Sequence, residues 1–274
     1  MNDILNPPQW RVIDQTTIGP AFDAKSSFAI DDVLCESVGK GESEPVIRAW
    51  VHHDTISLGI QDTRLPHLQK GLDFLKERGF HYIARSSGGL AVVLDEGVLN
   101  LSLIFSEKEH RISIDEGFEA MVELIKKMLA PYELIIEARE IAGSYCPGRY
   151  DLSVDGKKFA GISQRRLRKG VAVQIYLCVG GSGQTRAELI REFYDRAISG
   201  ADTRFHYPDI CPDVMASLSE LTGQELTVSQ LVEDLLHAIN GKVIRSSLTD
   251  IEAERYKTDY ARMVERNIKA FGQA

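Results

Sequence analysis

The chain has few cysteines and no long apolar run. Four cysteines occur among 274 residues, at positions 35, 146, 178 and 211, and none forms a Cys-x-x-Cys pair. This spacing excludes a disulfide scaffold and a cysteine-based zinc site. No apolar run reaches the roughly 18 residues that cross a bilayer, and residues 1–10 contain no basic segment followed by an apolar core. We therefore expect a cytoplasmic protein that does not bind membranes.

The chain also lacks an excess of basic residues. Its formal net charge is −8, and phosphate contacts need a basic surface, so nucleic acid is excluded as the main partner. His52 and His53 are adjacent, but neighbouring strand residues point in opposite directions, and no second ligand pair has suitable spacing. We predict no metal and no cofactor. The run Arg165-Arg166-Leu167-Arg168-Lys169 is typical of a solvated turn; its functional alternative is a docking patch for an acidic partner.

Strand and helix patterns predict an α+β protein. Helical spacing of apolar residues and capping pairs predict helices over 22–38, 67–78, 113–129, 185–198, 216–221, 228–240 and 249–270. Strand-like runs occupy 10–13, 46–51, 55–60, 80–85, 90–94, 98–105, 134–137, 150–154 and 171–179, and a further strand begins at Lys158. This order favours one antiparallel or mixed sheet flanked by helices. We divide the chain into an N-terminal segment 1–40, a core 41–224 and a helical C-terminal extension 225–274.

Residues 143–164 carry the candidate reactive group. Cys146 lies in a turn framed by glycine and proline, and the hairpin that follows brings a lysine back toward it. A cation beside a cysteine stabilises the thiolate, which is the nucleophilic form of the side chain. Either Lys157 or Lys158 can supply that cation, because only one of two consecutive strand residues faces the interior. The alternative is an inert loop cysteine.

A second candidate is the loop from Arg85 to Gly89, between two predicted strands. Gly88 and Gly89 let backbone amides approach a ligand closely, and Arg85 could bind a carbonyl or carboxylate. The alternative is a tight strand-to-strand turn. The loop matches neither Gly-x-Gly-x-x-Gly nor Gly-x-x-x-x-Gly-Lys-Ser/Thr, so the sequence does not indicate a phosphate site.

Together these segments resemble the catalytic domain shared by lipoate-protein ligases, octanoyltransferases and biotin ligases. Arg48-x-Trp50 followed by Ser57-Leu58-Gly59-Ile60-Gln61 looks like the first hairpin of this family. Arg85-Ser86-Ser87-Gly88-Gly89-Leu90-Ala91-Val92 is similar to its Arg-Arg-x-Ser-Gly-Gly-Gly-Ala-Val motif, and Leu99-Asn100-Leu101-Ser102 resembles the strand after it. Gly156-Lys157-Lys158-Phe159-Ala160-Gly161 matches its Gly-x-Lys-x-x-Gly signature, which selects Lys158 as the functional lysine. The resemblance covers most of residues 20–220 and implies that 41–224 is a catalytic domain.

Departures from the family pattern weaken the interpretation as an ATP-using ligase. Ala84 stands where the family has the first arginine of its pair, and Leu90 replaces the third glycine. Ile175-Tyr176 follows Gln174, where many relatives have His-Gly. Cys146 favours a transferase, because a ligase needs no thiol there. The closest resemblance is to the octanoyl-[glycine-cleavage H protein]:protein N-octanoyltransferases of Gram-positive bacteria.

That resemblance implies roles for particular residues and partners. Cys146 is expected to be the acyl-thioester nucleophile, with Lys158 stabilising its thiolate. The predicted acyl- and substrate-binding residues are Arg85, Ser87, Gly88, Gly89, Asn100, Gly161 and Ser163. The implied donor is octanoyl-lysine on the H protein, and the implied acceptors are lipoyl domains of 2-oxoacid dehydrogenases. Three different functions stay open beside this one: transfer from octanoyl-[acyl carrier protein], ATP-dependent lipoate ligation, and lipoyl-domain binding without chemistry.

Overall fold

A computed structural model describes residues 3–272, which form two β-sheets with helices packed against them. The strands are β1 Gln9–Gln15, β2 Val46–Trp50, β3 Thr55–Leu58, β4 His81–Ala84, β5 Val92–Leu94, β6 Val98–Ser106, β7 Glu137–Ala138, β8 Leu152–Val154, β9 Lys157–Leu167, β10 Gly170–Cys178 and β11 Lys242–Arg245. The α-helices are α1 Ala24–Lys40, α2 Leu68–Glu77, α3 Ile114–Met128, α4 Gly183–Ile198, α5 Leu218–Thr222, α6 Val228–Ala238 and α7 Asp250–Phe271.

The large sheet has eight strands in the order β11-β1-β2-β6-β10-β9-β8-β7. β1 pairs in parallel with both β2 and β11, and the other neighbours are antiparallel. A small sheet, β4-β3-β5, contains one parallel and one antiparallel pair. The α+β class with mixed pairing and flanking helices is confirmed, but the expectation of a single sheet is wrong. β2 and β3 enter different sheets, so the segment that looked like a first hairpin is not one.

Alternation of side chains along β10 explains how the large sheet is covered on both faces. Val171, Val173, Ile175 and Leu177 belong to one apolar cluster, which also contains buried residues of α3 and α6. The opposite face of β6 and β10 packs against α1. The small sheet contributes to a second apolar cluster together with α2 and α4, beside the cysteine loop. The cavity described below lies on this second side.

Helix starts follow the capping pairs with one exception. Ser113 with Glu116 and Thr249 with Glu252 form capping boxes at the predicted starts of α3 and α7. The Thr185 start predicted for α4 is wrong. Helix α4 begins earlier because the Ser182 side chain, held in extended backbone, accepts the Thr185 N–H.

One strand, β11, was not predicted from the sequence. β11 pairs with β1 in parallel, although the C-terminal segment reads as helical from its sequence. All four of its residues are exposed, so it shows no burial alternation by which a strand is recognised. The division into 1–40, 41–224 and 225–274 stays a prediction, and its outer ends, residues 1–2 and 273–274, lie outside the described residues. Between residues 3 and 272, no helix is both long and apolar enough to cross a membrane.

Candidate active site

Cys146 lies in the loop between β7 and β8, with its backbone in the left-handed region at φ +46°. This conformation costs on the order of 1 kcal/mol for a residue with a side chain, so neighbouring contacts must hold it. Lys158 Nζ donates to the Tyr145 carbonyl at 2.9 Å and to the Cys146 carbonyl at 2.8 Å. A lysine on the next hairpin therefore fixes the backbone of the cysteine turn.

Lys158 is fully buried, whereas Lys157 is exposed, as the signature register predicted. The Lys158 charge is compensated by the Asp151 carboxylate at 3.0 Å, and that carboxylate also accepts the Gly148 N–H at 3.0 Å. Burial raises the pKa of Asp151, and the Lys158 charge acts in the opposite direction. Sequence analysis did not single out Asp151, which alternates with Tyr150 and Leu152 in the predicted strand 150–154.

The donors that reach the Cys146 sulfur come from the glycine loop. The Leu90 N–H nitrogen is 3.1 Å from Sγ, and Arg85 Nη2 is 4.0 Å from it. The hydrogen bonds of Lys158 Nζ instead go to the two carbonyls and to Ser144 Oγ at 3.3 Å. The loop therefore presents a backbone N–H and a guanidinium cation to the sulfur.

Arg85 holds the glycine loop together from inside. Its guanidinium donates to the carbonyls of Ser57 at 2.6 Å, Gly88 at 2.8 Å and Leu90 at 2.7 Å. These carbonyls belong to β3 and to the loop itself, so binding of a substrate group by Arg85 stays a prediction. What the geometry shows is an arginine that sets the loop conformation beside the sulfur.

Gly89 has no room for a side chain. Its φ is +93°, and a Cβ atom there would lie 2.8 Å from Cys146 Sγ and 2.7 Å from Arg85 Nη2. Gly88 has open space around it. The two glycines of the motif therefore differ: Gly89 allows the loop backbone to lie directly against the sulfur, and Gly88 does not have that contact.

A cavity of about 300 Å³ opens in front of this loop. Its floor is a row of facing residues on four adjacent strands, Trp50, Asn100, Tyr176 and Gly161. The cavity is lined by Cys146 and by every predicted binding residue, namely Arg85, Ser87, Gly88, Gly89, Asn100, Gly161 and Ser163. The structure thus brings together residues that the sequence predicted from three separate motifs.

The last glycine of the Gly-x-Lys-x-x-Gly signature makes room for an aromatic ring. A Cβ atom on Gly161 would lie 2.6 Å from the Tyr176 ring. That ring stacks on Tyr145 with centroids 5.9 Å apart, and Lys158 Nζ lies 5.8 Å from its centroid. The buried Tyr176 hydroxyl has no hydrogen-bond partner among residues 3–272. Its only sequence signal was the departure from His-Gly.

The basic run 165–169 was predicted as a solvated turn, but its first three residues are the end of strand β9, paired with β10. Its arginines are already paired within the chain. Arg165, Arg166 and Arg168 form ion pairs at 2.8, 2.7 and 2.8 Å with Asp32, Glu107 and Glu36. Docking of an acidic partner on this run stays a prediction.

His52 is buried, donates from Nδ1 to the Phe22 carbonyl and accepts a hydrogen bond from the Ser27 hydroxyl. In the described part of the chain, no cluster of histidine, cysteine and acidic side chains suits a metal.

Comparison with known sequences places the chain in a family. Residues 23–240 match the family described as Lipoyl protein ligase A/B catalytic domain. The octanoyl-[GcvH]:protein N-octanoyltransferase of Anoxybacillus flavithermus is 58% identical over 270 residues, covering 97% of this chain and 98% of that protein. The lipoyl-[GcvH]:protein N-lipoyltransferase of Listeria monocytogenes is 48% identical, covering 98% of each. The resemblance drawn from the motifs is confirmed.

Solved structures agree with this assignment at the level of the fold. Lipoate-protein ligase A bound with ATP has a TM-score of 0.71 at 17% identity, covering 93% of this chain and 95% of that chain. The bipartite lipoate protein ligase of Thermoplasma acidophilum has a TM-score of 0.71 at 18% identity, covering 97% and 98%. With the predicted ligase-type fold confirmed and the sequence match spanning most of its length, the chain belongs to the lipoyl protein ligase A/B catalytic domain family.

Proposed function

We propose that the chain is an N-octanoyltransferase of protein lipoylation, acting in the cytoplasm. It moves an octanoyl group from a lysine of the glycine-cleavage H protein to a lysine of a lipoyl domain. Relatives 58% and 56% identical over nearly the whole length carry the name octanoyl-[GcvH]:protein N-octanoyltransferase, which supports the reaction class and the donor. The observation that carries the chemistry is the Leu90 N–H, 3.1 Å from the sulfur of Cys146 in the cavity lining.

In the first proposed step, the Cys146 thiolate attacks the amide carbonyl of the octanoyl-lysine. The C–S bond forms, the C–N bond breaks, and the lysine amine leaves with the proton that the thiol gave up. Arg85 and the Leu90 N–H support the thiolate before attack. The oxyanion of the tetrahedral intermediate needs preorganised donors, and the amides of the Gly88-Gly89 segment are the candidates.

In the second step, the neutral amine of an acceptor lysine attacks the thioester. The new C–N bond replaces the C–S bond, and the sulfur regains a proton. One amide is exchanged for another of the same kind, so the cycle needs no ATP. The octanoyl chain would lie against the apolar lining of Phe28, Trp50, Val92 and Leu94.

Lys158 has a structural part and a chemical part in this proposal. Its ammonium holds the carbonyls of Tyr145 and Cys146, which keeps the strained turn in place. The same ammonium binds the carbonyl of the residue that carries the reacting sulfur, so it adds positive charge there and can relay to the leaving amine the proton that the thiol gave up. The Asp151 carboxylate, 3.0 Å away, compensates the ammonium charge in this buried position.

The acyl group has a second candidate. A relative 48% identical over nearly the whole length is named a lipoyl-[GcvH]:protein N-lipoyltransferase. Lipoyl and octanoyl groups share an eight-carbon acyl backbone, so the same cysteine chemistry applies to both. Supplying purified octanoyl-H protein and lipoyl-H protein in turn, and measuring transfer to a lipoyl domain, decides between them.

The proposal is tested by intact-protein mass spectrometry after mixing the chain with octanoylated H protein, without ATP. We expect an octanoyl adduct on wild type and none on Cys146→Ala. Cys211→Ser is the matched control, because Cys211 is also a free cysteine and is exposed. Transfer by Cys146→Ala at the wild-type rate would contradict the thioester mechanism.

Changing the substrates in this assay distinguishes the transferase from a protein with a different donor, a ligase or a non-enzyme. Acylation from octanoyl-[acyl carrier protein] but not from H protein would indicate a different donor. A requirement for ATP and free lipoate would indicate a ligase. Binding of a lipoyl domain without any adduct or transfer would indicate a protein that keeps the fold without the chemistry.

A further inference from the structure

The C-terminal helix α7 reaches the start of the glycine loop through one side chain. Asn267 Oδ1 accepts the Ala84 N–H at 2.7 Å, and Asn267 Nδ2 donates to the Ala84 carbonyl at 3.3 Å. Nδ2 also donates to the carbonyl of Met263, one turn earlier in the helix, at 2.8 Å. The amide group is therefore fixed to its own helix and to the peptide groups on both sides of Ala84.

This contact occupies an open sheet edge. β4 is the outer strand of the small sheet, so the outward-facing peptide groups of Ala84 have no strand beside them. On the inner side, the Arg85 N–H donates to the Leu58 carbonyl at 3.0 Å. A side-chain amide offers both a donor and an acceptor, as a neighbouring strand does. Asn267 thus replaces a strand at the residue where the glycine loop begins.

Two sets of hydrogen bonds connect Ala84 with the sulfur of Cys146. Arg85 follows directly, and its guanidinium binds the carbonyls of Gly88 and Leu90. Those bonds set the loop conformation in which the Leu90 N–H points at Cys146 Sγ. A shift of the β4 end would move the anchor of Arg85, and with it the donor that approaches the sulfur.

We propose that Asn267 is a positioning residue for Cys146. By holding the Ala84 peptide groups, it keeps the Arg85–Leu90 loop in the conformation that supports a negative charge on the sulfur. No described residue of α7 lines the cavity, so the helix does not act on the site by direct contact. The inference rests on the proposed role of Cys146 as nucleophile, but thiol reactivity can be measured without acyl transfer.

The test is the rate of Cys146 alkylation by iodoacetamide in a Cys211→Ser background, followed by peptide mass spectrometry. Cys35 and Cys178 are buried, so Cys146 is the reactive site in this background. We expect Asn267→Leu to slow alkylation at pH 7 by on the order of tenfold, because the loop donor is misplaced. The deficit should close at pH 10, where a thiol ionises without help from donors.

Tyr260→Phe is the matched control on the same helix. Tyr260 donates to Asp23 Oδ2 at 2.7 Å, near the start of α1, so its loss removes a comparable tether away from the glycine loop. Its alkylation rate should equal that of the parent. Asn267→Asp keeps the acceptor for the Ala84 N–H but loses the donor, so it should alkylate at a rate between the parent and the leucine variant. If Asn267→Leu does not fold, the alkylation rate of Asn267→Asp tests the proposal by itself.

Wild-type alkylation in a folded leucine or aspartate variant would overturn the inference. An equal deficit at pH 7 and pH 10 would also overturn it, because it would indicate altered access and not altered support of the thiolate. The proposed function fails separately, if the parent alkylates normally but forms no octanoyl adduct with H protein.

Discussion

Two buried ion pairs in this protein are alike in length and burial but differ in what they hold. Arg48 and Asp31 are 2.8 Å apart with side chains 0% and 1% exposed, and Lys158 and Asp151 are 3.0 Å apart at 0% and 2%. The Arg48 guanidinium also binds the carbonyl and the hydroxyl of Ser27, so it joins β2 to α1. Its contacts are those of a scaffold.

The Lys158–Asp151 pair instead holds a turn whose backbone is strained. Its ammonium binds the carbonyls of Tyr145 and Cys146, and the second of these residues carries the candidate nucleophile. Burial and pairing alone would not distinguish the two cations. Both pairs are expected to matter for stability. Breaking a pair is expected to affect chemistry as well only where the buried charge holds the backbone of the site.

The largest effect is expected for Lys158→Met. Asp151 would be left buried without its cation, which costs about 3–5 kcal/mol of unfolding free energy. The released turn should also reduce octanoyl transfer by on the order of 100-fold. Urea denaturation and a transfer assay on folded protein measure both. Lys157→Met is the control, because Lys157 is exposed, and it should change neither quantity. Full activity in Lys158→Met would remove the distinction drawn between the two pairs.

Arg48→Met should destabilise the protein by a similar amount, about 3–5 kcal/mol, because Asp31 loses its buried partner. Transfer per folded molecule should stay within about threefold of wild type, since Arg48 contacts neither the cysteine turn nor the glycine loop. Denaturation midpoints and activity well below the melting temperature provide the comparison. A 100-fold loss of activity here would show that both pairs serve the site.

A third buried carboxylate extends the comparison, because its hydrogen bonds come from neutral groups. Asp62 accepts the Tyr194 hydroxyl at 2.8 Å and the Gly59 N–H at 2.7 Å, and burial raises its pKa from 3.8 to about 6. The folded state therefore binds a proton that the unfolded state has lost. The stability that this proton contributes is present below pH 4 and disappears as the pH rises to 6, by about 3 kcal/mol.

Asp62→Asn should remove this pH-dependent component. His52 acts in the opposite sense, because burial lowers its pKa from 6.5 to about 4 and its contribution is lost as the pH falls through that range. In wild type the two contributions offset one another between pH 4 and 6. In Asp62→Asn, stability measured by urea denaturation should rise with pH across this interval. An unchanged pH profile would show that Asp62 does not titrate there.

The smallest effect on stability, although not on activity, is expected for Gly89→Ala. The methyl group would meet Cys146 Sγ and Arg85 Nη2 in a backbone conformation that alanine rarely adopts. Unfolding free energy should fall by roughly 1–2 kcal/mol, while transfer should fall by about 100-fold through displacement of the loop. Gly88→Ala, with open space around it, is the matched control and should be close to wild type. Equal activities would mean that close approach of the loop to the sulfur is not required.

The local parts of the site could be predicted from the sequence. The Gly-x-Lys-x-x-Gly register selected Lys158 over Lys157, and burial confirms that Lys158 faces the interior. The turn around Cys146 and the strands on either side of the glycine loop also stand where the pattern placed them, within a few residues. These predictions succeeded because turn residues, side-chain alternation and hairpin spacing act over fewer than about a dozen residues.

Only the tertiary structure decided how these parts meet. The sulfur of Cys146 finds its N–H donor at Leu90, 56 residues away, and the Ala84 peptide finds its partner at Asn267, 183 residues away. The exposed strand β11 likewise exists only through pairing with β1. A single sequence does not show which distant donor and acceptor will face each other, because that depends on the relative placement of packed sheets and helices. The sequence determined the chemistry that is available, and the packing determined which groups reach the sulfur.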